Sequence, residues 1–191
     1  MGEGLVDKLR RDAGLALNVT WLPFELHPET PAEGVPLAEL FGARAAQIEG
    51  MHRQLRHRAE ELGLPIEPPS RISNTHKAQL LAEYAKEHYP ERSAALHHEL
   101  FTAYFVHGEN MAEDATLHRA CERAAVPTEA VAAAVASQEC EDRVGVAMAE
   151  ARMLGITGAP TFIINDRYKI VGAQPYDVLL DAFQQIAGEG A

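Results

Sequence analysis

One proline in a short glycine-containing stretch limits the possible folds of this chain more than any other residue. Residues 155–164 read Gly-Ile-Thr-Gly-Ala-Pro-Thr-Phe-Ile-Ile, so a helical pattern ends at Gly155 and an apolar run begins directly after Pro160. Proline cannot donate to a β-ladder, and it is therefore confined to sheet edges, bulges or the first residue of a strand. The pattern predicts that Pro160 opens a buried strand.

Two geometries of the Ala159–Pro160 bond fit this pattern. The trans bond is the common one, but the cis form of an X–Pro bond costs only about 0.5–1 kcal/mol and suits a tight loop. A cis bond would leave the backbone N–H and C=O of Ala159 unpaired and able to bind an extended peptide by strand addition. The residues by themselves leave both geometries open.

Strand-like segments lie near both ends of the chain. Residues 17–26 have apolar side chains on both alternating faces, which predicts a strand in a sheet that is covered on two sides. Residues 161–165 and 168–171 predict a β-hairpin, with Asn165 and Asp166 in its turn because these residue types tolerate a left-handed backbone. The combination of strands with helical patterns indicates the α/β class.

A long helical tract separates these strands. Apolar residues recur at helical spacing from about residue 36 to residue 154, interrupted by glycines and prolines that mark helix ends. The first helix of the tract is expected over residues 36–62, with one apolar stripe. We predict that residues 1–34 and 155–191 form one split domain and that residues 35–154 form an all-helical insertion.

The charge balance argues against several classes of partner. The 191 residues carry a formal net charge of −11 without a block of Lys and Arg, which disfavours nucleic acid and anionic membrane surfaces as partners. No apolar run approaches the roughly 18 residues that a spanning helix needs, and the first residues show no signal-peptide pattern. The sequence predicts a cytoplasmic protein, and it leaves the oligomeric state open, a dimer included.

Two cysteines and nine histidines predict neither a reactive thiol nor a metal centre. Cys121 and Cys140 lie in helical patterns and are expected to be buried and inert, although a bridge between them stays open as an alternative. His52 and His57 are five residues apart and miss the helical spacing of a metal-binding pair, so no metal is expected.

A polar segment precedes the next predicted helix. Ser73 or Asn74 can cap that helix by accepting a hydrogen bond from its first free N–H groups. Arg71, Asn74 and His76 could instead line a cleft beneath the insertion. The sequence leaves both interpretations open.

Several aromatic residues are expected in the core rather than in a ligand site, because large rings are mostly buried for packing. They are Trp21, Phe101, Tyr104 and Phe105.

Four stretches together resemble one family. They are 155–162 followed by 168–174 (Tyr-Lys-Ile-Val-Gly-Ala-Gln), 21–26 (Trp-Leu-Pro-Phe-Glu-Leu), 73–76 (Ser-Asn-Thr-His) and 100–105 (Leu-Phe-Thr-Ala-Tyr-Phe). The chain is similar to DsbA-family thioredoxin-fold proteins, most of all to the FrnE-like branch, to which 2-hydroxychromene-2-carboxylate isomerase and kappa-class glutathione transferase are related. The resemblance implies a thioredoxin-like fold with a large all-helical insertion, and a cis bond before Pro160.

The chain departs from this family at its start. The family opens with a strand and a Cys-x-x-Cys motif at the first turn of a helix, whereas this chain begins with Met-Gly-Glu-Gly inside the matching helix. The N-terminal strand and both redox cysteines are therefore expected to be missing, which would leave sheet edges unpaired. By resemblance the chain is a thiol–disulfide oxidoreductase that is incomplete or inactive as given.

The resemblance also implies where a ligand would bind. The candidate substrate-binding residues are Thr157, Gly158, Ala159, Pro160 and Gln174, and the chain offers no catalytic residue. The ligand would be a thiol- or disulfide-containing peptide or small molecule; no cofactor is expected, with glutathione as the one candidate. Two alternatives stay open: a glutathione-dependent isomerase or transferase of the kappa type, and a non-catalytic peptide-binding module.

Overall fold

The fold is mostly helical, with short strands. The computed structural model describes residues 1–14, 16–42 and 45–189. The elements, in chain order, are α1 (Gly2–Ala13), β1 (Val35–Pro36), α2 (Leu37–Phe41), α3 (Ala45–Glu61), β2 (Arg71–Ile72), α4 (His76–His88), α5 (Pro90–Phe105), α6 (Asp114–Arg123), α7 (Glu129–Ala136), α8 (Gln138–Met153), β3 (Thr161–Ile164), β4 (Tyr168–Val171) and α9 (Tyr176–Glu189). Among the described residues, no helix combines the length and apolar character that crossing a bilayer requires.

The main hydrophobic core lies among helices α4 to α8. Leu81 of α4, Leu96 of α5 and Leu117 of α6 have no exposed surface, and every residue of this buried cluster falls between positions 78 and 148. Fully burying a leucine contributes about 1.5–3 kcal/mol relative to leaving it exposed. The helical tract therefore carries most of the apolar burial that the described residues provide.

Local capping sets where several of these helices begin. Pro90 is the first residue of α5, where its missing N–H has no partner to lose. The Ser137 hydroxyl caps α8 by accepting a hydrogen bond from the N–H of Cys140. Thr75 is the N-cap of α4 and its side chain makes no capping hydrogen bond, but the side-chain oxygen of Asn74, one residue earlier, accepts a hydrogen bond of 2.9 Å from the N–H of His76.

The predicted hairpin is confirmed. Strands β3 and β4 pair antiparallel, with Ile164 opposite Tyr168 next to the turn. Asn165 and Asp166 both have φ of 53°, the left-handed conformation expected of them. Because the turn lies at one end, the other end of the hairpin carries the residues on either side of Pro160.

The first and last helices pack against one another. Gly14 ends α1 with φ of 60°, a left-handed conformation that glycine adopts without strain. Leu9 of α1 and Leu179 of α9 have no exposed surface, and the Tyr176 hydroxyl donates a hydrogen bond of 3.4 Å to the Lys8 carbonyl oxygen. Each of the two helices therefore has buried apolar residues on one face.

The strand predicted over residues 17–26 is wrong. This segment has no regular secondary structure, because a strand needs a ladder partner and β3 and β4 pair only with each other among the described residues. The segment is held by side chains instead: the Lys86 ammonium donates to the Trp21 carbonyl oxygen, and the Glu25 N–H lies 3.1 Å from the Met148 sulfur.

The continuous helix predicted over residues 36–62 is also corrected. Gly42, with φ of 45°, follows the end of α2, and α3 begins at residue 45; positions 43 and 44 lie outside the described residues. Leu40 and Met51, expected in the buried stripe, are 48% and 64% exposed. Helical spacing shows that one face is apolar, but it does not show that another element covers this face.

The insertion is not wholly helical. Strands β1 and β2 form a two-residue antiparallel pair, with Val35 opposite Ile72. This short ladder joins the start of α2 to the segment that leads into α4. The division into residues 1–34 with 155–191 and residues 35–154 stays a prediction.

Candidate functional site

The loop between α8 and β3 carries most of the candidate binding residues. We call residues 157–160 the Pro160 loop. The peptide bond between Ala159 and Pro160 is cis. The Pro160 carbonyl oxygen accepts a hydrogen bond of 2.8 Å from the N–H of Gly172, the residue after β4. The loop is therefore fixed to the open end of the hairpin.

Gln174 lies at the same end of the hairpin. Its side-chain amide donates a hydrogen bond of 2.7 Å to the Val171 carbonyl oxygen, and its backbone N–H donates one of 3.0 Å to the Gly172 carbonyl oxygen. Because Gly172 also pairs with Pro160, the structure brings Gln174 close to the loop, as the sequence predicts.

Ala159, the residue before the cis bond, is the candidate for strand addition in the Pro160 loop. Ala159 is exposed, and the Thr161 hydroxyl donates a hydrogen bond of 2.8 Å to the carbonyl oxygen of Gly158 just before it. Within the described part of the chain, the N–H and C=O of Ala159 make no hydrogen bond. An unpaired N–H and C=O at the entry of a strand can pair with a further extended segment. Whether the loop binds a ligand stays a prediction.

Helix α1 begins against the Pro160 loop. A Cβ placed on Gly2 would lie 3.0 Å from the Pro160 Cβ and 3.7 Å from Cζ3 of the Trp21 ring. The first turn of α1, Trp21 and Pro160 therefore meet at one point. The sequence predicts Trp21 in the core and gives no signal for Gly2; the stretch 21–26, which resembles the family, was the available indication.

A row of rings extends from Trp21 along α5. The centroids of the Trp21 and His97 rings are 4.7 Å apart, those of His97 and Phe101 are 4.6 Å apart, and those of Phe101 and Phe105 are 5.9 Å apart. Positions 97, 101 and 105 are four residues apart and share one face of α5. Phe101 is 39% exposed, so this row is not the closed core that the sequence predicts.

His97 is uncharged in this row. Burial, with smaller contributions from the nearby positive charges of Lys86 and His98, lowers the pKa of His97 to about 4. At neutral pH a neutral imidazole therefore packs between Trp21 and Phe101.

Lys86 fixes the segment that carries Trp21. Its ammonium group donates to the Trp21 carbonyl oxygen and to the carboxylate of Glu83, whose side chain is 9% exposed. A buried carboxylate without a partner is costly. The pair therefore satisfies Glu83 and holds Trp21 near the Pro160 loop at the same time.

A second polar cluster surrounds His76 at the start of α4. Its Nδ1 lies 2.6 Å from Oε1 of Glu25, and its Nε2 lies 3.0 Å from Oε2 of Glu141. Burial on its own lowers the pKa of His76, but the hydrogen bonds and charges of the two carboxylates outweigh burial and leave the pKa raised. Glu25, Asn74, His76 and Lys77 line a pocket of about 460 Å³ beside this cluster.

The two interpretations of the polar segment before α4 are both partly right. The Asn74 side chain accepts a hydrogen bond from the first N–H of α4 and also lines the pocket, while its amide nitrogen donates a hydrogen bond of 2.7 Å to the Thr30 carbonyl oxygen. Arg71 does not line this pocket; its guanidinium donates to the Glu33 carbonyl oxygen at 2.6 Å.

Comparison with known proteins identifies the family. A family model described as the DSBA-like thioredoxin domain matches residues 2–184. The chain belongs to this family. No curated protein sequence is similar to it. The predicted DsbA-family membership and the thioredoxin-like α/β fold are therefore confirmed.

Solved structures of this fold cover almost all of the DSBA-like chain. A probable DsbA oxidoreductase from Streptomyces coelicolor is 27% identical, with a TM-score of 0.80 over 98% of this chain and 82% of that chain. A candidate protein disulfide isomerase from Nitrosomonas europaea is 19% identical, with a TM-score of 0.72 over 98% and 90% of the two chains. A 2-hydroxychromene-2-carboxylate isomerase is 17% identical, with a TM-score of 0.76 over 98% and 89%. The last two show the fold alone.

The two cysteines of this DSBA-like chain are buried, and the thiol of Cys121 is not activated. Cys121 and Cys140 are buried and unpaired, as the sequence predicts for inert cysteines. Burial, with a smaller contribution from the negative charge of Glu122, raises the pKa of Cys121 to about 11. A reactive thiol needs a lowered pKa and access, and Cys121 has neither.

The described residues form no cluster of side chains that suits a metal ion. Across residues 1–14, 16–42 and 45–189, no group of three or more His, Cys, Asp and Glu side chains is placed to hold a metal ion. Glu25 and Glu141 already contact the two ring nitrogens of His76, which leaves no lone pair of that ring directed at open space.

Proposed function

We propose that this chain is a DSBA-like protein of the FrnE-like branch whose described residues form the substrate-binding side of a thiol–disulfide oxidoreductase site. The Pro160 loop would bind an extended peptide that contains a thiol or a disulfide. The observation that supports this is the exposed, unpaired backbone of Ala159 directly before β3. Thr157, Gly158 and Gln174 would border the bound segment.

The residues of this chain would bind the ligand without supplying the redox thiol. Dithiol exchange needs an accessible thiolate and a second thiol that resolves the mixed disulfide. Cys121 and Cys140 are both buried, and the pKa of Cys121 is raised to about 11. The 191-residue chain is therefore expected to bind thiol peptides and to lack oxidoreductase activity of its own.

A glutathione-dependent isomerase or transferase is the second candidate, and one contact favours it. The Arg58 guanidinium of α3 donates a hydrogen bond of 2.6 Å to the Ala173 carbonyl oxygen, between Gly172 and Gln174. Its remaining N–H groups could bind a carboxylate of a glutathione molecule whose cysteine lies on the Pro160 loop. A peptide-binding module without catalysis would use the same loop.

The surroundings that we propose follow from the charge and the thiols. A net charge of −11 disfavours nucleic acid and membranes as partners, and two free buried thiols suit the reducing cytoplasm.

Calorimetry with a designed peptide tests the proposal. A short extended peptide with one S-methylated cysteine should bind the 191-residue chain. The matched control is the same peptide N-methylated at the residue that would pair with Ala159. Losing one or two backbone hydrogen bonds should weaken binding by about 2- to 100-fold. Equal affinity for the two peptides would contradict strand addition.

Two further measurements separate the candidates. Insulin reduction by the chain should not exceed the uncatalysed rate, and a catalytic rate would contradict the assignment of the thiols. Glutathione binding that Arg58→Gln weakens, while Arg53→Gln on the same helix leaves it unchanged, would favour the glutathione-dependent candidate.

A further inference from the structure

Three charged side chains connect an irregular segment to two helices. Glu25 lies in the segment 16–26, His76 is the first residue of α4, and Glu141 lies in the first turn of α8. The imidazole of His76 contacts Glu25 through Nδ1 and Glu141 through Nε2, at 2.6 Å and 3.0 Å. We call these three residues the His76 bridge.

The number of protons on the His76 imidazole decides whether it can donate hydrogen bonds to both carboxylates of the His76 bridge. An ionised carboxylate only accepts hydrogen bonds, so each ring nitrogen must carry a proton to donate. A protonated imidazole has two N–H groups and satisfies both carboxylates. A neutral imidazole has one, so its other nitrogen would place a lone pair against a negative oxygen.

The two carboxylates differ in burial, which decides the order in which the bridge opens. The Glu25 side chain is 9% exposed, whereas that of Glu141 is 51% exposed. When the imidazole becomes neutral, Glu141 can turn into water at little cost. Glu25 cannot, and it remains a buried carboxylate without a positive partner, which disfavours the docked position of its segment.

The other charged groups near His76 are already paired. The Lys77 ammonium lies 2.6 Å from Asp114 of α6, so it is a partner for that carboxylate rather than for Glu25. On α8, Arg143 pairs with Glu87 of α4 and with Glu139. Glu25 and Glu141 are therefore the groups that set the charge of His76.

We propose that the His76 bridge is a pH-sensitive connection that docks segment 16–26 onto α4 and α8 when His76 is protonated and loosens it when His76 is neutral. The same segment carries Trp21, which touches the first turn of α1 beside Pro160. His76 is thus a positioning residue for one wall of the candidate site. This inference does not depend on which ligand the Pro160 loop binds.

The direction of the pH effect follows from the raised pKa. The two carboxylates raise the pKa of His76 in the folded protein above its ordinary value of 6.5. The stabilisation is therefore fully present below about pH 6.5, and it is lost as the pH rises through the folded pKa. The segment should dock more tightly in mildly acidic solution than in alkaline solution.

Trp21 gives a direct readout, because it is the one tryptophan of the 191-residue sequence. Its fluorescence is followed on the whole chain from about pH 5 to about pH 9, the range in which histidine titrates. The emission should shift to longer wavelength above about pH 6.5 as water reaches the ring. The His97 transition, near pH 4, lies outside this window.

Three variants distinguish the bridge from a general effect of pH. His76→Gln should abolish the shift and keep the alkaline-type emission throughout. Glu141→Gln should move the midpoint to lower pH, because one negative charge is lost. His57→Gln is the matched control, since its side chain is 75% exposed and its carboxylate neighbour, Glu61, lies on its own helix.

The result has two outcomes. A midpoint that moves with Glu141→Gln and disappears with His76→Gln supports the proposal. An unchanged transition in either variant, or no transition in the parent chain, overturns it. If His76→Gln fails to fold, the parent chain and Glu141→Gln decide: a midpoint of the Trp21 emission that follows the pKa of His76 measured by NMR in both chains supports the proposal, and a midpoint that does not follow that pKa overturns it.

Discussion

The helices α4 to α8 and the hairpin β3–β4 differ in where their apolar side chains lie. Leu81, Leu96 and Leu117 of the helical region have no exposed surface, whereas no residue of either strand is buried, and Ile163 and Val171 are 39% and 43% exposed. Fully buried and partly exposed apolar side chains therefore lie in different parts of this protein. The helices hold the buried side chains, whereas the hairpin leaves apolar side chains such as Ile163 and Val171 partly exposed.

The largest expected loss of stability comes from shortening a buried side chain in the helical region. Leu96→Ala removes a fully buried side chain and should lower the free energy of unfolding by about 2–5 kcal/mol. Ile163→Ala, the matched change in β3, should cost no more than about 1 kcal/mol because the side chain is partly exposed. Urea denaturation of both variants measures the difference. Equal losses of unfolding free energy in the two variants would contradict the difference in burial between the helical region and the hairpin.

Acid should destabilise the fold at His97, which lies on α5 and packs against Trp21. The pKa of His97 is lowered to about 4, so its neutral form stabilises the fold. This contribution is present above about pH 6.5 and is lost as the pH falls towards the folded pKa, with a total of roughly 3 kcal/mol. His97→Phe should remove that part of the acid destabilisation in thermal unfolding at different pH values. His57→Gln, whose side chain is 75% exposed and which does not contribute to the pKa shift of His97, is the control and should retain it.

A smaller effect is expected at the short ladder β1–β2. Gly34 has φ of 73°, and a Cβ there would lie 2.6 Å from the Ile72 carbonyl oxygen, a backbone atom with little freedom to move. Gly34→Ala should cost about 1–3 kcal/mol through the left-handed strain and the close contact. Gly108→Ala shares the left-handed φ but has open space around it. If both variants melt at the same temperature, the close contact has no effect.

The smallest expected effect concerns the cysteines of the helical region. The raised pKa of Cys121, about 11, should make this thiol at least about a hundredfold slower than a free cysteine towards a disulfide reagent such as Ellman's. The labelling rate of the thiols in the native chain, compared with the rate in the unfolded chain, measures how well the fold protects them. Rapid labelling of the native chain would show that the helical core opens easily, which would contradict the protection expected of its buried residues.

Local patterns predicted the elements that depend on neighbouring residues. The hairpin turn at Asn165 and Asp166 follows from residue types a few positions apart, and so does the hydrogen bond that Asn74 accepts at the start of α4. The segment 17–26 could not be predicted in the same way, because alternating apolar residues show a capacity for pairing and not the presence of a partner strand.

The candidate site was predicted in part. The residues of the Pro160 loop and Gln174 followed from the resemblance to the family, since a short stretch carries them. The contacts of Trp21 with Lys86 and of Glu25 with His76 join residues 65 and 51 positions apart. Spacing along the chain does not record such pairs, which form only when the helices have packed.

Amide shifts measured by NMR test the central claim most directly. The 191-residue chain is titrated with the extended S-methyl cysteine peptide, and the backbone amide shifts are followed residue by residue. Strand addition at the Pro160 loop predicts saturable shifts that are largest at Gly158, Ala159 and Thr161 and small at Leu96 in the helical core. Shifts centred on the pocket around His76, or no saturable shifts at Ala159, would contradict the account.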